Sequence, residues 1–187
     1  MSTQLVGRIG LLVSWLAWMY PFIFRAPHNQ KRPSITERGR TRLGLFLQSA
    51  AIVMPFVIRL PADSPPGPFR VFPALILGLL SAVLGWGAVD HLGKQFRVHA
   101  GLYEDHELVR TGPYSIVRHP IYTSMLGMLA CSLLVLTPWP WALLSVAIFV
   151  VGTEIRVHIE DRLLESRFGQ AFQEYRSAVR AYVPYVR

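Results

Sequence analysis

Apolar residues run in blocks along this chain. The first block extends from about Ile9 to Phe24, the second from Leu43 to Leu60, and the third from Val71 to about Val89. Each approaches the roughly 20 residues, rising about 1.5 Å apiece, that cross the hydrocarbon of a bilayer. A fourth run, from Ile121 to about Gly152, is too long for one span, and Thr137, Pro138, Trp139, Pro140 and Trp141 interrupt it near its middle. Proline ends a helix by removing a donor and clashing with the preceding turn, and tryptophan favours the membrane interface. The run is therefore expected to be a helical hairpin turning there. The pattern predicts an all-α integral membrane protein of about five transmembrane helices.

Between and after these blocks lie two long polar segments, Asp90 to Pro120 and Glu154 to Arg187, while Pro61 to Pro68 reads as a short external turn. Positive residues stay on the cytoplasmic side of short loops. The loop after the first span carries Arg25, Lys31, Arg32, Arg38, Arg40 and Arg42, against only Arg59 and Arg70 after the second. The segment after the third holds Lys94, Arg97, Arg110 and Arg118, and the tail holds six arginines. The N-terminus is expected outside and the C-terminus in the cytoplasm, which puts both polar segments on one side, within reach of cytosolic cofactors. The first block lacks a basic start and a small-x-small cleavage site, so it is expected to be a retained helix. Leu163, Leu164, Phe168, Phe172, Tyr175 and Val179 recur at helical spacing among charges, which predicts an amphipathic helix over Glu160–Ala181.

Composition agrees. Of 187 residues, 52% are hydrophobic and 16% charged, against roughly 25% charged in a soluble domain. The formal net charge of +8 would suit nucleic acid, but the basic residues sit at the ends of apolar blocks and read as topology, so no nucleic-acid partner is expected. The single cysteine, Cys131, lies inside an apolar run and excludes an intramolecular disulfide.

Candidate chemistry falls in the second half. The run His106 to Tyr122, HELVRTGPYSIVRHPIY, concentrates histidines, arginines and tyrosines at a membrane edge; its bland reading is a loop touching lipid headgroups. Glu154, Arg156, His158, Glu160 and Asp161 follow the last apolar run, and ionisable residues emerging from a span are functional candidates. Arg156 and Glu160 are four apart, so on a continuous helix they share a face and either pair with each other or divide between cofactor and substrate.

The pattern His106-x-Leu108-Val109-x-x-Gly112-x-Tyr114-x-x-x-Arg118-His119-Pro120-x-Tyr122, then Arg156-x-x-x-Glu160, Phe168-Gly169, Tyr175, Val179 and Pro184, resembles the isoprenylcysteine carboxyl methyltransferase family. These are membrane-embedded enzymes that use S-adenosyl-L-methionine. The resemblance covers about residues 95–187. It implies a cofactor pocket lined by His106, Glu107, Leu108 and Val109, by Gly112 and Tyr114, and by Arg118, His119, Pro120, Ile121 and Tyr122. It implies further that Glu160 contacts the cofactor and that Arg156, the catalytic candidate, serves the substrate side. A family glutamine that helps hold the cofactor falls at His99 here, and Asp161 stands where a second glutamate is usual. Residues 1–90 are then expected as a three-helix membrane region and 91–187 as the methyltransferase core.

The cofactor's chemistry suits these residue types. Its ammonium needs an acceptor, which Glu160 offers; its carboxylate needs donors, which Arg118, His119 and His106 offer; Tyr114, Tyr122 and Leu108 offer surface for adenine or ribose. Methyl transfer to a carboxylate gains from alignment and desolvation and needs no general base. The expected acceptor is a lipophilic or lipid-modified carboxylate, such as a prenylated cysteine, reached from the membrane lipids. An amine or phenol acceptor would instead call on His158 or Glu154 as base, and a lipid amine N-methyltransferase is the alternative. A membrane reductase and a non-catalytic scaffold are further alternatives. The histidines match no zinc spacing, so no metal is expected.

Overall fold

A computed structural model describes residues 2–25, 38–61, 63–96 and 107–184. The apolar blocks become five long helices: α1 (Thr3–Phe24), α2 (Arg38–Val57), α3 (Pro68–Leu92), α4 (Pro120–Leu136) and α5 (Trp139–Phe168), followed by a short α6 (Gln170–Ala178). The long fourth block divides where expected. Thr137 turns extended after α4 and Pro138 caps α5, so the hairpin bends within two residues. Helices α1 and α5, and α3 with the short turn that follows it, are long and apolar enough to cross a membrane; α4 is a shorter apolar helix. The first turns of α2 carry Arg40 and Arg42, which lowers its mean hydropathy.

The bundle is apolar on the outside, and its inside mixes small and polar residues with larger apolar ones such as Phe149, Met128 and Leu129. Leu79 and Val83 on α3 are 64% and 63% exposed, whereas Ala74 and Ala88 on the same helix are fully buried. That arrangement suits a hydrocarbon solvent, in which helices associate through close approach of small residues and through interhelical hydrogen bonds. α1 packs on α3, α3 on α4, and α2 on α5. A Cβ on Gly78 would lie 2.4 Å from the Ser14 hydroxyl and 3.2 Å from Cys131 Sγ, so α1, α3 and α4 meet there at nearly backbone distance. Trp15 and Trp18 donate their indole N–H groups to Ser132 and Ser124 at 3.0 Å, and Trp86 donates to the Ala17 carbonyl at 2.7 Å.

Helix α4 ends without a glycine cap; Arg70 from α3 takes over that role. Its guanidinium donates to the carbonyls of Leu133, Leu134 and Thr137, at 3.0, 2.8 and 2.5 Å, and lies 4.9 Å over the Trp139 ring. A cation at that point satisfies the orphan carbonyls and the negative end of the helix dipole. At the opposite end of the bundle Arg25, after α1, pairs with Asp90 of α3 at 2.7 Å.

The amphipathic tail differs from the continuous helix expected over Glu160–Ala181. α5 runs unbroken to Phe168, Gly169 turns at φ +50, and α6 ends at Ala178 with Val179 extended. The break folds α6 back so that Phe172 and Tyr175 are buried. It also leaves residues 179–183 free to run as a strap beside the segment before α4. Arg118 N donates to Arg180 O at 2.8 Å, His119 N to Ala181 O at 2.7 Å, and Thr123 Oγ1 to Tyr182 O at 2.6 Å.

Candidate functional site

Five ionisable side chains and one phenol converge where α4 begins, α5 leaves its apolar stretch and the strap passes. Pro120 starts α4 at a position where a missing donor costs nothing, and this places His119 as its cap and Tyr122 in its first turn. On α5, Arg156 and, one turn later, Glu160 and Asp161 face this point. The result is a chain of contacts across three segments. Arg156 Nη2 donates to Glu160 Oε1 at 3.4 Å, and Tyr122 donates its hydroxyl to the same oxygen. His119 Nδ1 lies 3.3 Å from Glu160 Oε2, while its Nε2 lies 3.0 Å from Asp161 Oδ1. Arg118 Nη2 closes the chain on Asp161 Oδ2 at 2.9 Å. The Arg156 guanidinium sits 5.2 Å over the Tyr122 ring, which stacks on His119.

His119 presents a nitrogen to each of two carboxylates, an arrangement that asks for both ring N–H groups. Burial opposes the charge, but the hydrogen bonds to Asp161 and Glu160 outweigh it and raise the imidazole to about 9. With His119 charged, three cations face two carboxylates, leaving one positive charge in a site closed to water on most sides. Of the two carboxylates Glu160 is the more open, its side chain 22% exposed against 7% for Asp161. Glu160 is thus the one an incoming cation reaches first.

α2 completes the site. Gln48, fully buried, accepts from Arg156 Nη1 at 3.3 Å and donates to Thr153 Oγ1 at 2.9 Å. It gets there because α2 and α5 touch through glycines one turn earlier. A Cβ on Gly152 would lie 2.8 Å from the Gly44 carbonyl oxygen, and one on Gly44 would lie 2.7 Å from Arg156 Cγ. Any side chain at either position pushes the two helices apart and carries Arg156 with them.

The expected site residues divide into groups. Tyr122, His119, Arg156 and Glu160 meet in one cluster. Arg118 adjoins it, but its other nitrogen donates to the carbonyls of Arg176, at 3.2 Å, and Val179, so this arginine ties down the strap. Tyr114 is buried behind it, accepting on its backbone carbonyl from Tyr175 Oη at 2.5 Å; burial pushes its own phenol well above the ordinary range and keeps it neutral. Gly112 adopts φ +58, and the His91 ring occupies the space a Cβ would take, 2.2 Å from Nε2; only glycine makes this turn. Leu108 and Val109 are half-buried, Pro120 is buried, and Ile121 packs toward Val89 and Phe96. Glu107 is exposed and pairs with Lys94 at 3.3 Å. His99 and His106 lie outside the described residues.

Sequence reasoning passed over Gln48 and Tyr182, and took Glu154 only as an ionisable residue leaving the last span and a base for an amine or phenol acceptor. The last two pair at 2.6 Å, the Tyr182 hydroxyl donating to Glu154 Oε1 and fastening the strap to α5. Gln48 had left a signal, since an amide inside the block Leu43–Leu60 needs a buried partner.

The fold and the site together define an all-α integral membrane protein with a buried charge cluster at one end of its bundle. Residues 74–166, from within α3 to just short of the end of α5, match the profile of the Isoprenylcysteine carboxyl methyltransferase (ICMT) family. That stretch contains Tyr122, His119, Arg156 and Glu160 but neither Gln48 nor the strap. No curated protein matches the chain. That match supports, by class, a membrane methyltransferase in a lipid context.

Proposed function

We propose that this protein transfers a methyl group from S-adenosyl-L-methionine to the carboxylate of a lipophilic acceptor that arrives from the bilayer, at an end of the bundle that faces the cytoplasm. The observation that carries the reading is the Arg156–Glu160 pair, at 3.4 Å, buried beside Tyr122 and His119 with Glu160 as its open member. A carboxylate exposed among donors suits the cofactor's ammonium, and the surplus positive charge of the cluster suits one further carboxylate. Bound cofactor would supply a methyl on a cationic sulfur, so that a carboxylate oxygen forms the new C–O bond while the electron pair of the broken C–S bond stays on sulfur.

In this reading the chain's own residues bind, orient and dry the site. Glu160 accepts from the cofactor's ammonium, giving up part of its contact with Arg156. Arg156, so released on one side and still held by Gln48 on the other, fixes the acceptor carboxylate in line with the methyl. His119, shared with Asp161, keeps Glu160 oriented, and Tyr122 covers the pair from α4. Leu108 and Val109 offer apolar surface for the adenosyl portion. No proton has to move, because the acceptor is already anionic, and alignment within a desolvated pocket supplies the rate enhancement.

The test is calorimetric binding of S-adenosylhomocysteine to the detergent-purified full chain. Wild type should bind saturably, and Glu160→Gln should bind about tenfold or more weakly, the scale of a charged hydrogen bond. Arg156→Ala should keep affinity within a few-fold while losing incorporation of labelled methyl into membrane lipids. Absence of binding in folded wild-type protein overturns the reading.

A further inference from the structure

At the end of the bundle away from the charge cluster, a groove of about 320 Å³ opens between α1 and α2. Among the described residues α1 packs on α3 and α4, and α2 on α5 and α4, so these consecutive helices diverge. The floor of the gap is Leu11 with Val135 at the end of α4, and its inner limit is the edge-on contact of Trp15 with Phe56, ring centroids 6.1 Å apart. Its mouth carries two arginines, Arg8 on α1 and Arg59 just after α2, both exposed. Arg59 Nε donates to the Phe56 carbonyl at 2.8 Å, which anchors that guanidinium at the mouth.

We infer that this groove is a binding site for an anionic glycerophospholipid, one acyl chain lying on Leu11 and Val135 and the headgroup phosphate between Arg8 and Arg59. Three observations meet here. The volume falls in the range of small-molecule sites, roughly 300–1,000 Å³. An apolar groove left unfilled within hydrocarbon forfeits the dispersion contacts its walls would make, and an acyl chain is the occupant at hand. Finally, the arginines lie at the end where positive charge is otherwise sparse. Of the cations there, Arg70 is engaged in capping α4, while Arg8 and Arg59 both line the groove, a charge pattern complementary to an anionic headgroup. The site is independent of methyl transfer, since it lies at the far end of the bundle.

The experiment is native mass spectrometry of the full chain released from detergent containing equimolar phosphatidylglycerol and phosphatidylcholine. Wild type should retain phosphatidylglycerol about tenfold over phosphatidylcholine, as two arginines near an anionic headgroup imply. Arg8→Gln with Arg59→Gln should abolish the preference while both lipids still bind. Leu12→Trp, at an exposed position that lines the groove, should fill it and lower retention of both lipids. Thermal unfolding of the variants within a few degrees of wild type checks that these exposed substitutions leave the fold intact. Equal retention of the two lipids by wild type, or a preference that survives the double substitution, overturns the inference.

Discussion

The two sides of the bundle are held together by different physics. Where α1, α3 and α4 meet, the contacts are small residues and neutral hydrogen bonds: Gly78 against Ser14 and Cys131, Trp15 to Ser132, Trp18 to Ser124. Where α5 meets the start of α4 and the strap, they are charged: Arg118 to Asp161, His119 to two carboxylates, Arg156 to Glu160 and Gln48. The first kind spreads its stabilisation over many weak contacts and is indifferent to pH. The second concentrates it in a few groups whose partners, once buried, cannot be rescued by water. A charged end built this way is preorganised, but each member depends on the next.

Removing one charge from the cluster should therefore have the largest effect. Asp161→Ala leaves Arg118 and His119 buried against one carboxylate fewer, and losing one partner of a buried pair costs about 3–5 kcal/mol. Denaturant unfolding in detergent should show that loss, and the strap from 179 to 183 should become accessible to protease, because Arg118 holds it. A smaller cost at Asp161 than at a neutral contact would break the comparison.

Titration probes the same contrast without mutation. His119 sits near 9 in the folded chain, raised from an ordinary value of 6.5. Its stabilisation is fully present below about pH 6.5 and is lost as pH rises through about 9, amounting to at most about 3 kcal/mol over that window. Melting temperature should fall from pH 6.5 to 9.5 in wild type, and His119→Gln should flatten the curve. A wild-type profile already flat across this range would show that His119 is neutral when folded.

Gly152→Ala comes next. The added methyl meets the Gly44 carbonyl oxygen at 2.8 Å, and overpacking of a close contact costs about 1–3 kcal/mol. Because the displaced turn carries Arg156, methyl transfer should suffer more than binding of S-adenosylhomocysteine. The smallest effect belongs to the neutral side. Trp15→Phe removes one hydrogen bond, worth about 0.5–1.5 kcal/mol, while Ser132 keeps its bond to the Met128 carbonyl at 2.9 Å. Its pH profile should run parallel to that of wild type, which sharpens the division between the two sides.

Much of this molecule is legible along the chain because membrane spans are local statements. Hydrocarbon requires each span to satisfy its own backbone within a helix, so runs of apolar residues and a Pro-Trp-Pro interruption are enough to locate five helices and a hairpin. The Arg156–Glu160 pair was readable for the same reason: four residues apart on one helix are neighbours whatever the rest of the chain does. The tail was read less well. Its apolar spacing continues past Gly169, and nothing in that spacing reveals that the backbone turns at positive φ there.

Between-helix geometry is where the sequence stops. Gln48 lies 108 residues from Arg156 along the chain, and the packing of α2 on α5, tight at Gly44 and Gly152, brings them to 3.3 Å. Arg118 reads as a cofactor donor until Asp161 and the strap carbonyls are seen to engage it. The sequence by itself determined the membrane class, the helices and the residue types able to serve methyl transfer, because those follow from solvent preference and helical period. Only the tertiary structure decided which charges neutralise one another and which one stays open, because buried electrostatics depends on distances between segments that local patterns do not encode.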